Sequence, residues 1–117
     1  MLYMLLIYAN EAEWTAFSGE QQAAVMRDHV ALEDDLRRAS KYKGCGALQL
    51  TDSATTVRVR DGKTLVTDGP FAETKEQFGG YYLVDAADLD DALAIAARIP
   101  TARNGSIEVR PLVLWKT

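Results

Sequence analysis

The chain has 117 residues, of which 48% are hydrophobic and 26% charged, and its formal net charge is −4. This length predicts a single domain, residues 1–117, with a hydrophobic core of its own. The acidic balance argues against partners that need a basic surface, so we expect neither nucleic-acid binding nor membrane binding. The longest apolar run, residues 1–9, is too short to cross a bilayer and lacks the features of a signal peptide. Because a single cysteine cannot form an internal disulfide, we expect a cytosolic protein.

The first part of the chain predicts a strand followed by a long helix. The run MLYMLLIYA, residues 1–9, is typical of a strand buried on both faces. After a short connection, Ser18 with Gln21 three residues later indicates the start of a helix, and Gly44 ends the segment. The helix has one stripe of side chains at helical spacing, formed by Val25, His29, Leu32 and Leu36.

The middle of the chain predicts a strand and a hairpin. CGALQL, residues 45–50, can form the strand, and TTVRVR-DG-KTLVT predicts a hairpin with Asp61 and Gly62 in a two-residue turn. The register pairs Val57 with Val66 on one face and leaves three cations on the other: Arg58, Arg60 and Lys63. Such cations are typical of a solvated sheet surface, and an anion site is the alternative.

The last third predicts strand, helix and strand. GGYYLVDA, residues 79–86, reads as a strand, and Asp88 is the expected N-cap of a helix that Pro100 stops. The expected apolar stripe of this helix consists of Leu89, Leu93 and either Ala96 or Ala97. Residues 106–115, SIEVRPLVLW, close the chain as one long strand or two short ones.

This order of elements predicts an α+β fold. Two helices on one face of an antiparallel sheet give a two-layer sandwich, the ferredoxin-like β-α-β-β-α-β plan with an extra hairpin. Side chains alternate along a strand, and several of these strands are apolar on both faces. We therefore expect the helix-free face of the sheet to be covered by a second copy of the chain in a homodimer.

The DGPF segment, TDGPFAETKEQF at residues 67–78, follows the hairpin and is rich in turn formers. Gly69 and Pro70 fix a bend, and the carboxylate of Asp68 can accept a hydrogen bond from the amide of Phe71 or Ala72. A turn cap is one role for Asp68, and a functional site is the other. Two aromatic side chains are expected to anchor the segment to the core: Phe71 and Phe78.

The longer string VTDGPFAETKEQFGGYYLVDAADLDDALAIAARIP, which starts at Val66, resembles the YciI-related family in its DGPF branch. The resemblance extends over nearly the whole chain, from YMLLIY to IEVRP. It implies a ferredoxin-like subunit that dimerises into an α+β barrel. It implies no settled activity, and genes of the DGPF branch often neighbour genes of extracytoplasmic-function sigma factors in bacteria.

The resemblance also points to a histidine. Related YciI-type proteins carry a helix histidine that is thought to belong to a His-Asp active site, and DHVALEDDL matches that position through His29. The acid of the family's Asp-Pro pair after the second helix is missing, because Ile99 precedes Pro100 here. Asp68, which belongs to the DGPF motif, could take its place if it lay near His29.

The residues themselves leave two roles open for His29, the only histidine. It is either a core histidine bonded to the backbone or a general acid–base group in a pocket, with Asp68 or another carboxylate within reach. A carboxylate neighbour would raise its pKa and burial would lower it. Cys45, between two glycines, reads as a small buried residue rather than a nucleophile. With no His/Cys cluster at ligand spacing and no phosphate-binding loop, we expect neither a metal nor a cofactor.

Two functional classes follow from these candidates. The first is a small-molecule acid–base enzyme with its pocket between helix and sheet, near the dimer interface. The second is a non-catalytic ligand-binding or regulatory protein linked to extracytoplasmic-function sigma factor signalling.

Overall fold

A computed structural model describes residues 1–115. This part of the chain contains six strands: β1 (Leu2–Ala9), β2 (Tyr42–Ala47), β3 (Thr55–Arg60), β4 (Lys63–Asp68), β5 (Gln77–Asp85) and β6 (Ser106–Pro111). It contains three α-helices: α1 (Glu11–Ala16), α2 (Gly19–Arg38) and α3 (Leu89–Ala97). Two short 3-10 turns complete the regular structure: Thr51–Ser53 and Pro100–Arg103.

The main sheet has the strand order β2-β5-β1-β6, and each neighbouring pair is antiparallel. Helix α2 lies between β1 and β2 along the chain, and α3 lies between β5 and β6. This mixed α+β arrangement is consistent with the predicted ferredoxin-like plan. The strands β3 and β4 form a separate two-stranded sheet.

The core lies between the main sheet and the helices. Leu5 on β1 is fully buried, and its Cα partners are Tyr82 on β5 and Val109 on β6. Leu32 and Leu36 of α2 are also buried in this core. On the opposite face of the sheet the side chains are only half-buried, as at Leu2, Met4, Leu6, Tyr81 and Leu83.

Helix α2 begins where the sequence predicts. The backbone amide of Gln21 donates to the hydroxyl of Ser18 at 3.1 Å, and the Gln21 side chain accepts from the Ser18 amide at 2.8 Å. The helix ends before Gly44, because Ser40 adopts a φ of 59° and lets the Lys41 amide donate to the Leu36 carbonyl. Strand β2 therefore starts at residue 42, and the predicted bounds of 45–50 are wrong.

Helix α1 was not predicted. Asn10 is its N-cap, since the side-chain oxygen of Asn10 accepts from the amide of Ala12 at 2.9 Å. Glu11 and Glu13 lie in the first turn, where acidic side chains stabilise the helix dipole. This short helix carries Trp14 to one end of the cavity described below.

Helix α3 is capped by Asp88 as predicted, and Ala96 of the expected apolar stripe is buried, but the two leucines of that stripe are not. Leu89 and Leu93 are exposed, and the buried residues are Ala92, Ile95 and Ala96. Every residue of this helix except two aspartates in the first turn is apolar. Hydrophobic spacing therefore could not select the face, and the small alanine side chains pack against the rest of the fold.

The hairpin β3–β4 has the predicted turn and register. Asp61 and Gly62 both have positive φ angles, 52° and 72°, as a type I′ turn requires, and Val57 pairs with Val66. Both faces of the hairpin are largely exposed. The radius of gyration is 16.3 Å, against about 13 Å for a compact domain of similar length. The hairpin therefore lies outside the core, in keeping with this large radius of gyration.

No helix within residues 1–115 combines the length and apolar character that crossing a bilayer requires. The final predicted strand is shorter than expected, because β6 ends at Pro111. The chain segment from residue 113 to residue 115 follows with exposed side chains.

Candidate functional site

A cavity of about 330 Å³ lies between α2 and the half of the sheet formed by β2 and β5. Helix α2 contributes one wall through five side chains on neighbouring turns: Val25, Met26, His29, Val30 and Glu33. Trp14 and Phe17 border the cavity from the segment around α1, with ring centroids 6.0 Å apart. This volume and apolar lining are typical of a small-molecule site.

Glycines form part of the sheet side of the cavity. Gly46 on β2 and Gly79 and Gly80 on β5 are among the lining residues. A Cβ atom on Gly80 would lie 2.7 Å from the carbonyl oxygen of Gly46, so the close approach of the strands requires glycine here. The absence of side chains at these positions leaves space that larger residues would fill.

The surroundings of the predicted stripe of α2 differ between the two halves of the helix. Its second half, Leu32 and Leu36, is buried in the core as expected. Its first half, Val25 and His29, is half-buried and borders the cavity. One helical stripe therefore serves both the core and the candidate site, because residues spaced by three or four positions share a face.

His29 has a side-chain partner that the sequence did not suggest. Its Nδ1 lies 2.7 Å from the hydroxyl oxygen of Tyr82, and the two rings are nearly parallel, 14° apart, with centroids at 5.9 Å. Tyr82 lies on β5 and is only 3% exposed, so the sheet fixes its position. The hydrogen bond in turn orients the imidazole ring.

Both members of this pair favour the neutral form at neutral pH. Burial lowers the pKa of His29; the nearby Asp28 raises this pKa and Arg103 lowers it. Asp28 and Arg103 form an ion pair with each other at 3.0 Å. Burial also raises the pKa of the Tyr82 hydroxyl. In a neutral pair, either Tyr82 donates to Nδ1 or a protonated Nδ1 donates to Tyr82.

The second ring nitrogen of His29 is accessible. Nε2 makes no hydrogen bond to residues 1–115, and no enclosed side-chain nitrogen or oxygen in this part of the chain lacks a partner. Nε2 is therefore not enclosed, and the ring belongs to the cavity wall. This geometry differs from that of a core histidine whose two nitrogens are bonded to the backbone.

Asp68 lies elsewhere in the chain. It is the exposed last residue of β4 and does not border the cavity. Its carboxylate accepts no hydrogen bond from residues 1–115, so the predicted cap on the amide of Phe71 or Ala72 is wrong. The start of the loop is held at Gly69, whose amide donates to the Ala54 carbonyl at 2.7 Å and whose carbonyl accepts from the Thr56 hydroxyl at 2.8 Å. Within one chain, the structure does not bring Asp68 to His29, and their catalytic roles stay predictions.

The two phenylalanines of the DGPF segment do not anchor it to the core. Phe71 is 78% exposed, and Phe78 is at the surface with its ring 5.5 Å from that of Tyr8. Cys45, predicted to be buried, is exposed and borders the cavity. The Tyr42 hydroxyl donates to its Sγ at 3.3 Å, and this hydrogen bond raises the pKa of Tyr42 to about 12.

Two carboxylates border the cavity, and both have partners. The two oxygens of Glu11 accept from the amide and the hydroxyl of Thr51, at 2.7 and 2.8 Å. Glu33 accepts from Arg37 at 2.8 Å, and this hydrogen bond lowers the pKa of Glu33. No cluster of three His, Cys, Asp or Glu side chains suited to a metal occurs within residues 1–115.

Sequence reasoning missed Tyr82 and Trp14 as parts of this site. For Tyr82 a signal existed: in YYLV, alternation directs one of the two tyrosines towards the helices. For Trp14 the signal was the sequence NEAE, which places a capping residue and acidic side chains before it. Neither pattern specifies a contact with His29, which depends on the packing of α2 on the sheet.

Comparison with known proteins gives two matches. Residues 1–116 match the YCII-related domain. The chain is also 46% identical over 118 residues to an uncharacterized protein of Rhizobium meliloti (strain 1021), and the match covers 99% of this chain and 95% of that protein. The family match spans the strands and the helix that build the His29 cavity. The chain therefore belongs to the YCII-related family.

Proposed function

We propose that this protein is a small-molecule enzyme in which His29 transfers a proton to or from a ligand in the cavity. The observation that carries the proposal is the hydrogen bond of 2.7 Å between Nδ1 of His29 and the buried hydroxyl of Tyr82. It holds one ring nitrogen and leaves Nε2 for the ligand.

The pair suits general acid–base chemistry. A hydroxyl group both donates and accepts hydrogen bonds, so Tyr82 can stabilise either neutral tautomer of His29. With Nδ1 protonated, Nε2 has a free lone pair and can accept a proton; the resulting imidazolium can return it. Because burial lowers the pKa of His29, the basic form prevails at neutral pH. A positioned acid–base group contributes about 10²- to 10⁴-fold to a rate.

The site and the assembly are connected in this proposal. We place the protein in the DGPF branch and infer a homodimer, with the cavity near its interface. Two-stranded hairpins are only marginally stable alone in water, and the valines of β3 and β4 are exposed, with Val66 at 66%. A second copy that covers such side chains accounts for their exposure in one chain. Asp68 can approach His29 only in such an assembly, since the single chain keeps them apart.

Light scattering tests the assembly. At micromolar concentration we expect about twice the chain mass of 12.9 kDa. A mass of one chain across the accessible concentrations would remove the dimer and, with it, the role of Asp68 beside His29.

A second candidate function is regulatory. Phe71 and the apolar face of the hairpin, including Val57 and Val66, offer an exposed surface for another protein. A DGPF protein in extracytoplasmic-function sigma factor signalling would bind a ligand or partner without chemistry. In this second candidate function, the cavity binds a ligand without catalysing a reaction of it.

Solvent deuterium exchange separates the two candidates. We would incubate the protein in D₂O with small cyclic ketones and lactones that carry an acidic C–H bond, and follow deuterium incorporation by NMR. The acid–base proposal predicts exchange above the buffer rate for a bound compound and loss of this excess in His29→Gln. Arg58→Ala, on the solvated face of the hairpin, is the matched control and should exchange like the wild type. A compound that binds the cavity and exchanges equally in wild type and His29→Gln would favour the ligand-binding candidate.

A further inference from the structure

The charged side chains that line the His29 cavity within the described residues are of one sign. The wall contains two carboxylates, Glu11 and Glu33, and no lysine or arginine within the described residues. We infer that the natural ligand is a neutral, flat and largely apolar molecule with a single polar group directed at His29. This inference rests on the proposed function, because it assumes that the cavity holding His29 is the ligand site.

The two carboxylates beside the cavity disfavour an anionic ligand. Glu11 keeps a fixed orientation through its two hydrogen bonds to Thr51, so its charge stays beside the cavity. Glu33 is paired with Arg37, but that guanidinium lies 4.1 Å from the centre of the Tyr42 ring and outside the wall. A phosphate or carboxylate in the cavity would lose its hydration beside these two acids without gaining a cation. Burial of an unpaired charge is unfavourable, and a like charge nearby adds to the penalty.

His29 does not supply the missing positive charge. Burial lowers its pKa, and Arg103, the cation that contributes to this lowering, is paired with Asp28. At neutral pH the imidazole therefore offers a neutral donor or acceptor. It suits a hydroxyl, carbonyl or enol group better than a carboxylate.

The shape of the cavity suits a flat molecule. Trp14 and Phe17 present aromatic rings at one end, while Gly79 and Gly80 add no side chains on the sheet side. Met26 of α2, also in the wall, is largely exposed in the single chain. Aromatic and thioether groups bind flat rings favourably, and a sheet surface of glycines leaves room for a planar molecule.

The test uses three ligands that share one ring system and differ in charge. We would measure the affinity of the protein for naphthalen-2-ylmethanol, naphthalene-2-carboxylate and naphthalen-2-ylmethylammonium by calorimetric titration at pH 7.5. The inference predicts that the neutral alcohol binds and that the carboxylate binds at least about tenfold more weakly, since it lacks a counter-charge. Trp14→Ala should weaken the binding of the alcohol, because the Trp14 ring borders the cavity.

Glu33→Gln and Glu108→Gln form a matched pair of variants. Glu33 borders the cavity, whereas Glu108 lies on β6 outside the wall. Removal of the charge at Glu33 should reduce the discrimination between alcohol and carboxylate, and the change at Glu108 should leave it as in the wild type.

The outcomes separate this inference from the proposed function. Tighter or equal binding of the carboxylate or of the ammonium, or failure of the alcohol to bind up to its solubility limit, overturns the inference on ligand class. Preferential binding of the alcohol together with His29-independent deuterium exchange keeps the ligand class and rejects the acid–base function.

Discussion

The His29 cavity and the DGPF segment differ in how firmly the chain holds them. His29 is fixed by a hydrogen bond to a tyrosine that the sheet buries. Asp68, by contrast, is exposed and accepts no hydrogen bond from residues 1–115, and Phe71 of the same motif is 78% exposed. The DGPF segment has the more distinctive sequence of the two regions, yet it contributes less to the core of its own chain.

A residue can therefore be distinctive in the sequence without contributing to the folding of its own chain. The stability of one chain explains Leu5, Leu32 and Tyr82, because their side chains are buried. It does not explain the exposed aromatic and acidic side chains of the DGPF segment. Contacts outside the single chain, in the dimer proposed above, would account for them.

The largest expected effect on the free energy of unfolding comes from a substitution in the hydrophobic core. Leu5→Ala should lower the free energy of unfolding by about 2–5 kcal/mol, because Leu5 is fully buried and its removal leaves a cavity. Val66→Ala on the hairpin should change it by less than about 0.5 kcal/mol in the single chain, since this side chain is exposed. Urea unfolding of the two variants and the wild type measures both values.

The hairpin variant also reports whether a second copy covers Val66. If Val66→Ala costs much more than expected at high protein concentration and little at low concentration, the hairpin is covered by another copy. A large cost at every concentration would contradict the description of the hairpin as a weakly packed element of the chain.

The next effect compares two aspartates. Asp88 is an N-cap whose Oδ1 accepts from the amide of Asp91 at 2.9 Å, so Asp88→Ala should lower the free energy of unfolding by about 0.5–2 kcal/mol. Asp68→Ala removes no hydrogen bond within residues 1–115 and should change stability by less than about 0.5 kcal/mol. Equal losses in urea unfolding would restore the predicted cap at Asp68.

The smallest effect is the pH dependence that His29 adds. Because burial lowers its pKa below the ordinary 6.5, the unfolded chain binds a proton more readily than the folded chain. The contribution of His29 to stability is therefore complete above pH 6.5, and it falls as the pH drops towards the folded-state pKa, by at most about 1.4 kcal/mol per pH unit.

Unfolding free energies of wild type and His29→Gln between pH 5 and 8 isolate this contribution. The difference between the two proteins should change below pH 6.5 and stay constant above it. A difference that changes only above pH 6.5 would mean that the folded state raises the pKa of His29.

Much of the fold could be predicted because local chemistry determines it. Asp61 and Gly62 define the hairpin turn, and Ser18 with Gln21 defines the start of α2, whatever the rest of the chain does. The buried face of α3 could not be predicted, since apolar side chains surround most of that helix. The end of α2 depended on the conformation of Ser40, which has no strong sequence signal.

The site could be predicted only in part, because its contacts join residues that are distant in the sequence. Helical spacing indicated that His29 faces the sheet, and it does border a cavity there. Its partner is a residue 53 positions away on another element, so the contact with Tyr82 depends on tertiary packing. The expected carboxylate beside His29 was placed in the DGPF segment, which the single chain holds apart from the cavity.

NMR titration reports the charge of His29 directly, because the only histidine of the chain gives a single set of ring signals. His29 is partly desolvated, bonded to Tyr82 and neutral at neutral pH, so its pKa should lie below 6.5. Addition of naphthalen-2-ylmethanol should shift these ring signals in the wild type and in Glu108→Gln alike. A pKa above 6.5 would contradict the account, since it would mean that a carboxylate, and not burial against Tyr82, controls the charge of His29.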